Sequence, residues 1–76
     1  MLETLKSIIK KIAPETDTER ITPGTHLIED LGFDSLSMML MTMEIEESFS
    51  FRFEETVRFE TVGQVIAYLN RRVYEQ

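Results

Sequence analysis

The stretch Leu27-Ile28-Glu29-Asp30-Leu31-Gly32-Phe33-Asp34-Ser35-Leu36 decides how this chain is read. Up to Gly32 it has the character of a loop with apolar anchors, and from Asp34 onward that of a helix. Gly32 permits the sharp turn between the two. Asp is a good N-cap, and a run of helix-compatible residues free of Gly and Pro follows Asp34 as far as Ser48 or Phe49. The expectation is a central helix over residues 35–48 with a serine in its first turn. The first N–H groups of a helix lack intrahelical acceptors, and its dipole is positive at that end. A phosphate ester on Ser35 would therefore lie where anions are favoured. Ser beside an Asp N-cap is also ordinary helix-start chemistry, so Asp34-Ser35-Leu36 alone carries little.

Outward from this stretch, the chain reads as helices around one long connection. Upstream, Thr22-Pro23-Gly24-Thr25 has turn chemistry, and Ile21, Leu27, Ile28, Leu31 and Phe33 are expected to pin an ordered loop over residues 14–34. A loop this long inside a small domain is expected to be functional. Leu2, Leu5, Ile8, Ile9 and Ile12 recur at helical spacing with lysines on the other side, predicting an amphipathic helix over 2–13 stopped by Pro14. Downstream, Val62, Val65, Ile66, Leu69 and Val73 repeat that pattern, and Thr61 with Gln64 is a capping-box signature, predicting a helix over 61–73. Phe49-Ser50-Phe51-Arg52-Phe53 alternates like a strand but has no visible pairing partner. A short helix or turn is expected near 54–58, and the aromatics of this region read as core plugs more readily than as a ligand box. The fold class is all-α, with residues 1–76 as a single domain.

Composition narrows the function. The chain has 76 residues, 42% of them apolar, no cysteine, no tryptophan and one histidine. Its fourteen acids against eight Lys and Arg give a net charge of −6, and its pI is near 4.6. Such a balance argues against nucleic acid and against anionic membrane surfaces as partners. The acidity belongs to the middle: residues 14–60 hold twelve acids against Arg20, Arg52 and Arg58, whereas the two ends are mildly basic. That distribution suits either a cationic partner or a solvated face. Without cysteine there is neither a disulfide framework nor a thiolate metal site, which fits a reducing cytoplasm. No apolar run approaches membrane-spanning length, and the N-terminus lacks the order of a signal peptide.

The stretch from Leu27 to Leu36, with Asp34-Ser35-Leu36 at its end, resembles the phosphopantetheine attachment site of acyl carrier proteins. The resemblance extends over nearly the whole chain: an amphipathic first helix, a long loop, the central helix led by Asp34-Ser35-Leu36, and a final helix opening Thr61-Val62-Gly63. It implies a four-helix bundle with one short helix, and a covalent 4′-phosphopantetheine, taken from coenzyme A, on Ser35. Asp34 and Leu36 would shape the site for a phosphopantetheinyl transferase. The arm's thiol would hold acyl groups as thioesters, which makes sense of a chain without cysteine. Asp34 before Ser35 looks more like acyl carriers than peptidyl carriers. The resemblance further implies a discrete, monomeric, non-catalytic carrier of fatty-acid or polyketide-type synthesis, served by acyltransferase, ketosynthase or acyl-activating enzymes.

The central helix departs from the pattern of that family. Met38, Met41, Ile45 and Phe49 form one continuous apolar stripe, and Leu36, Met39, Leu40 and Met43 form a second apolar set. A small domain can bury only part of its surface, so one set must be at least partly exposed. The resemblance implies that Met38, Met41 and Ile45 face the core. Leu36, Met39, Leu40 and Met43, with Glu44 and Glu47, would then face partner enzymes. Typical fatty-acid carriers have acids at the positions of Ser37 and Leu40, so a more apolar contact is expected here. The interval from Phe49 to Thr61 is slightly shorter than usual, which puts the short third helix and its part in gating the acyl chain in question.

Other readings fare less well. Ser35 has no Gly-x-Ser-x-Gly frame, and His26, the only imidazole, lies in a polar loop, so a self-sufficient hydrolase is disfavoured. Glu44, Glu46 and Glu47 lack the spacing of a calcium loop, and no metal is expected. A carrier for amino acids or other acids, or an unmodified helical adaptor binding a partner protein, remain as alternatives.

Overall fold

In the computed structural model, which describes residues 1–53 and 58–74 (for 73 and 74 the backbone only), helices account for the regular structure. α1 spans Leu2–Ile12, α2 Ser35–Phe49 and α3 Val62–Leu69. A single 3-10 turn, Thr18–Arg20, interrupts the long loop. Among the described residues there is no strand, only an isolated antiparallel bridge between His26 and Thr61. No helix is long and apolar enough to cross a membrane among these residues. The short helix or turn expected near 54–58 falls almost wholly outside the described residues.

α1 turns the predicted stripe inward. Leu5, Ile8 and Ile9 are buried, with Leu2 and Ile12 packed at the edge. Each fully buried aliphatic side chain contributes about 1.5–3 kcal/mol of hydrophobic free energy. The helix stops at Ala13, whose N–H still donates to Ile9 O at 2.8 Å, because the residue before Pro14 is disfavoured in helical backbone. Met41 and Ile45 of α2 and Val62, Val65 and Leu69 of α3 complete the core with Ile21, Leu27, Phe33 and Phe59. These last four anchor the connecting segments. Ile28 is not an anchor, contrary to expectation: it stands 62% exposed. The turn that buries Leu27 directs its neighbour outward, with the N–H groups of Asp30 and Leu31 both donating to His26 O.

The final helix begins as predicted but ends differently. Thr61 Oγ1 accepts from Gln64 N at 3.2 Å, whereas the Gln64 side chain reaches back one residue further than in a standard capping box and accepts from Glu60 N at 2.6 Å. Past Leu69 the chain keeps right-handed helical angles at Asn70 but changes its bonding to a π-helical turn over Asn70–Tyr74. The strand-like alternation of residues 49–53 is no strand. Phe49 closes α2, Ser50 adopts left-handed angles (φ 55°), and Phe51 N returns to Glu46 O at 3.2 Å in a Schellman-type closure. Phe53 then stacks on Tyr68 at 5.3 Å between centroids, and Phe59 meets the same ring edge-on at 5.6 Å. The aromatics of this region are therefore packing residues.

The long loop is stitched to the start of α3. Gly63 N donates to Pro23 O at 2.8 Å, Val62 N to Thr25 O at 3.0 Å and Leu27 N to Glu60 O at 2.9 Å. A Cβ on Gly63 would sit 2.9 Å from the Pro23 carbonyl oxygen, a backbone atom that cannot swing aside. Gly63→Ala is accordingly expected to destabilise the fold by about 1–3 kcal/mol, read as a lower urea midpoint. At Gly24 the added Cβ would meet only Thr22 Oγ1 at 3.7 Å, so Gly24→Ala should leave that midpoint nearly unchanged.

Candidate functional site

The loop delivers Ser35 to the head of α2 between fixed points. Gly32, at φ 70°, reverses the chain in a region where other residues are strained. Phe33 follows, buried in the core, and its N–H donates to Leu27 O at 3.1 Å. Asp34 is the N-cap: its Oδ1 accepts from Ser37 N at 2.8 Å. That backbone N–H, and next the Ser37 hydroxyl, hold the Asp34 carboxyl below its ordinary value of 3.8. Ser35 is exposed, and no hydrogen bond among the described residues engages its hydroxyl.

A carboxyl with a lowered folded-state pKa stabilises the fold above its unfolded value, and that contribution is lost as pH falls through the folded value. Wild type is therefore expected to lose thermal stability more steeply than Asp34→Asn as pH drops from about 5 to below 3.8. Asn still caps the helix but does not titrate. Thermal midpoints across that range check the difference.

The second apolar set of α2 faces solvent. Leu36 is 58%, Met39 53%, Leu40 39% and Met43 55% exposed, while Met41 and Ile45 are at most 1% exposed. Met38 is half-buried against the core. Glu47 is exposed. Glu44 is not free: its Oε2 lies 2.9 Å from Lys11 Nζ on α1. The pairing of Lys11 with Glu44 was not legible in the sequence, since nothing in either helix reveals how the two cross. The apolar surface gained at Ile28 was likewise hidden in a loop without periodicity. His26 is a turn residue, with its N–H donating to Asp30 Oδ2 at 2.8 Å and its ring 3.7 Å from that carboxylate. Among the described residues no group of acids or His has the arrangement of a metal site.

A family model described as the phosphopantetheine attachment site matches residues 3–69, and the chain belongs to that family. It is a phosphopantetheine carrier, a class of protein that interacts with a phosphopantetheinyl transferase and with the enzymes that use the arm. The residues present fit the group. Ser35 offers an exposed, unengaged hydroxyl, and the Asp34 carboxylate is held at the Ser37 N–H and hydroxyl, with the Leu36 N–H also toward it. The positive end of the α2 dipole favours an anion on that hydroxyl. When bound, 4′-phosphopantetheine supplies the thiol that a chain without cysteine lacks.

Proposed function

We propose that residues 1–76 form one discrete carrier domain whose arm is esterified to Ser35 and holds acyl groups as thioesters in fatty-acid or polyketide-type synthesis, in the cytoplasm. The observation that carries this reading is the exposed Ser35 hydroxyl at the head of α2, directly after buried Phe33 and the Asp34 cap. In the attachment step, Ser35 Oγ forms a bond to the phosphorus that bears the pantetheine in coenzyme A. The pyrophosphate P–O bond breaks, adenosine 3′,5′-bisphosphate leaves, and the hydroxyl proton passes to a base of the transferase. Asp34 fixes the first turn for this attack, and Leu36 adjoins the hydroxyl as an apolar contact.

The carrier makes no bond in its cargo's chemistry. It tethers the intermediate and raises its effective concentration at each partner active site. Leu36, Met39, Leu40, Met43, Glu44 and Glu47 form the surface those partners dock against, beside the arm. Between α2 and α3 the core is closed, with Met41, Ile45, Val62, Val65 and Leu69 at most 1% exposed. An acyl chain sheathed there has to part these side chains.

Incubation with coenzyme A and a phosphopantetheinyl transferase, followed by intact-mass measurement, tests the reading. One phosphopantetheinyl increment per chain is expected, followed by an acyl increment when an acyl-activating enzyme and a fatty acid are added. No increment under conditions that modify a control carrier overturns the assignment. An arm that accepts amino acids but no fatty acid overturns the cargo alone.

A further inference from the structure

The docking face of α2 is unusual in where its charge lies. Leu36, Met39, Leu40 and Met43 form an exposed apolar strip that starts beside Ser35. Glu44 stands one helical turn beyond Leu40, on the side that meets α1, where Lys11 reaches it at 2.9 Å. Glu46 lies outside the strip, its Oε2 accepting from Phe53 N at 2.9 Å. Glu47, a turn beyond Met43, is the remaining acid of α2. Beyond the capping Asp34 beside Ser35, the strip is thus flanked on its own helix by Glu44 and Glu47, and Glu44 is the one paired with a cation of another helix.

From this arrangement we infer that Lys11 is a specificity-determining residue: by pairing with Glu44 it keeps that carboxylate from adding free charge beside Leu40, for enzymes whose own docking surface is apolar. The inference rests on the carrier reading above and adds the chemistry of the partner. Covering these four side chains is favourable only against apolar surface, since each contributes in proportion to the apolar area removed from water. An unpaired carboxylate beside Leu40 would have to be desolvated or matched by a cation on the partner. With Lys11 in place neither is required at that point. The pair is mutually supporting: the hydrogen bond to Glu44, and next its charge, raise the Lys11 pKa above 10.5, so the cation persists throughout the physiological range. Lys11 acts through Glu44 and not by contact with the arm, which makes it a positioning residue.

Steady-state loading of the full chain by a purified phosphopantetheinyl transferase, with the carrier as varied substrate, separates the possibilities. Lys11→Met keeps most of the apolar stem and removes the cation. It is expected to raise KM about 3- to 10-fold with kcat retained, and Lys11→Arg, which keeps the cation, is expected to keep KM near the wild-type value. Circular-dichroism melts of the variants establish that all are folded at the assay temperature, as expected for an exposed pair. An unchanged KM in Lys11→Met overturns the inference. So does a lower KM at low salt that disappears at high salt, since that is the behaviour of a cationic partner surface. A wild-type chain that takes no arm overturns the carrier reading and the inference together, whereas normal loading with an indifferent Lys11→Met overturns the inference alone.

Discussion

Ser35→Ala is expected to abolish phosphopantetheine attachment completely while leaving the fold intact. The hydroxyl is the nucleophile, and alanine has no atom to replace it, so the loss is not a matter of degree. The fold should survive because Ser35 makes no side-chain hydrogen bond among the described residues and is exposed. The cap that starts α2 comes from Asp34 to Ser37 N, which the substitution does not touch. Alanine is also the best helix former, so the first turn loses nothing in propensity. Intact mass after incubation with coenzyme A and transferase should show no increment in the variant, at times when wild type is fully converted. A variant modified as readily as wild type would move the arm to another hydroxyl. Ser37, two residues on, would be the next position to substitute. Ser35→Thr is a finer probe, since it keeps a hydroxyl but adds a methyl group at a reacting centre and should load far more slowly.

Much of this site was legible because its determinants are local. A helix start is written in a few residues: Asp34 at the cap, Ser35 and Leu36 after it, and a run without Gly or Pro beyond. Thr61 with Gln64 marked the last helix in the same way, although the glutamine reached Glu60 instead of Thr61. The two apolar sets of α2 were separable by helical spacing, and the exposure of Leu36, Met39, Leu40 and Met43 agrees with that division. What spacing could not supply is anything decided by the crossing of elements. Ile28 and Leu27 are both apolar neighbours in one loop, yet one is exposed and the other wholly buried. Nothing periodic distinguishes them. Lys11 and Glu44 are oppositely charged but 33 residues apart, and only the packing of α1 on α2 brings them together. The alternating phenylalanines of residues 49–53 satisfied a strand pattern, but a strand needs a partner. The packing of Phe53 against Tyr68, far along the chain, used the same residues differently.

That contrast within the loop carries the second large effect. Leu27→Ala is expected to cost about 2–5 kcal/mol, because the side chain is 0% exposed and its removal leaves a cavity where α3 and the loop meet. The position is also tied through its backbone, by its N–H to Glu60 O at 2.9 Å and its carbonyl to Phe33 N at 3.1 Å. Leu27 therefore links the segment before α3 with the turn that places Ser35. At roughly 0.05–0.15 kcal/mol per residue, a domain of this size has on the order of 4–11 kcal/mol in total. The loss should lower the thermal midpoint by about 10 °C or more. Ile28→Ala, which deletes more exposed surface than buried, should change stability by no more than about 0.5 kcal/mol. Urea and thermal unfolding of the two variants side by side check the pair. Equal losses would mean that the loop is held by its backbone stitches to Pro23, Thr25 and Glu60 and not by the side chain at its centre.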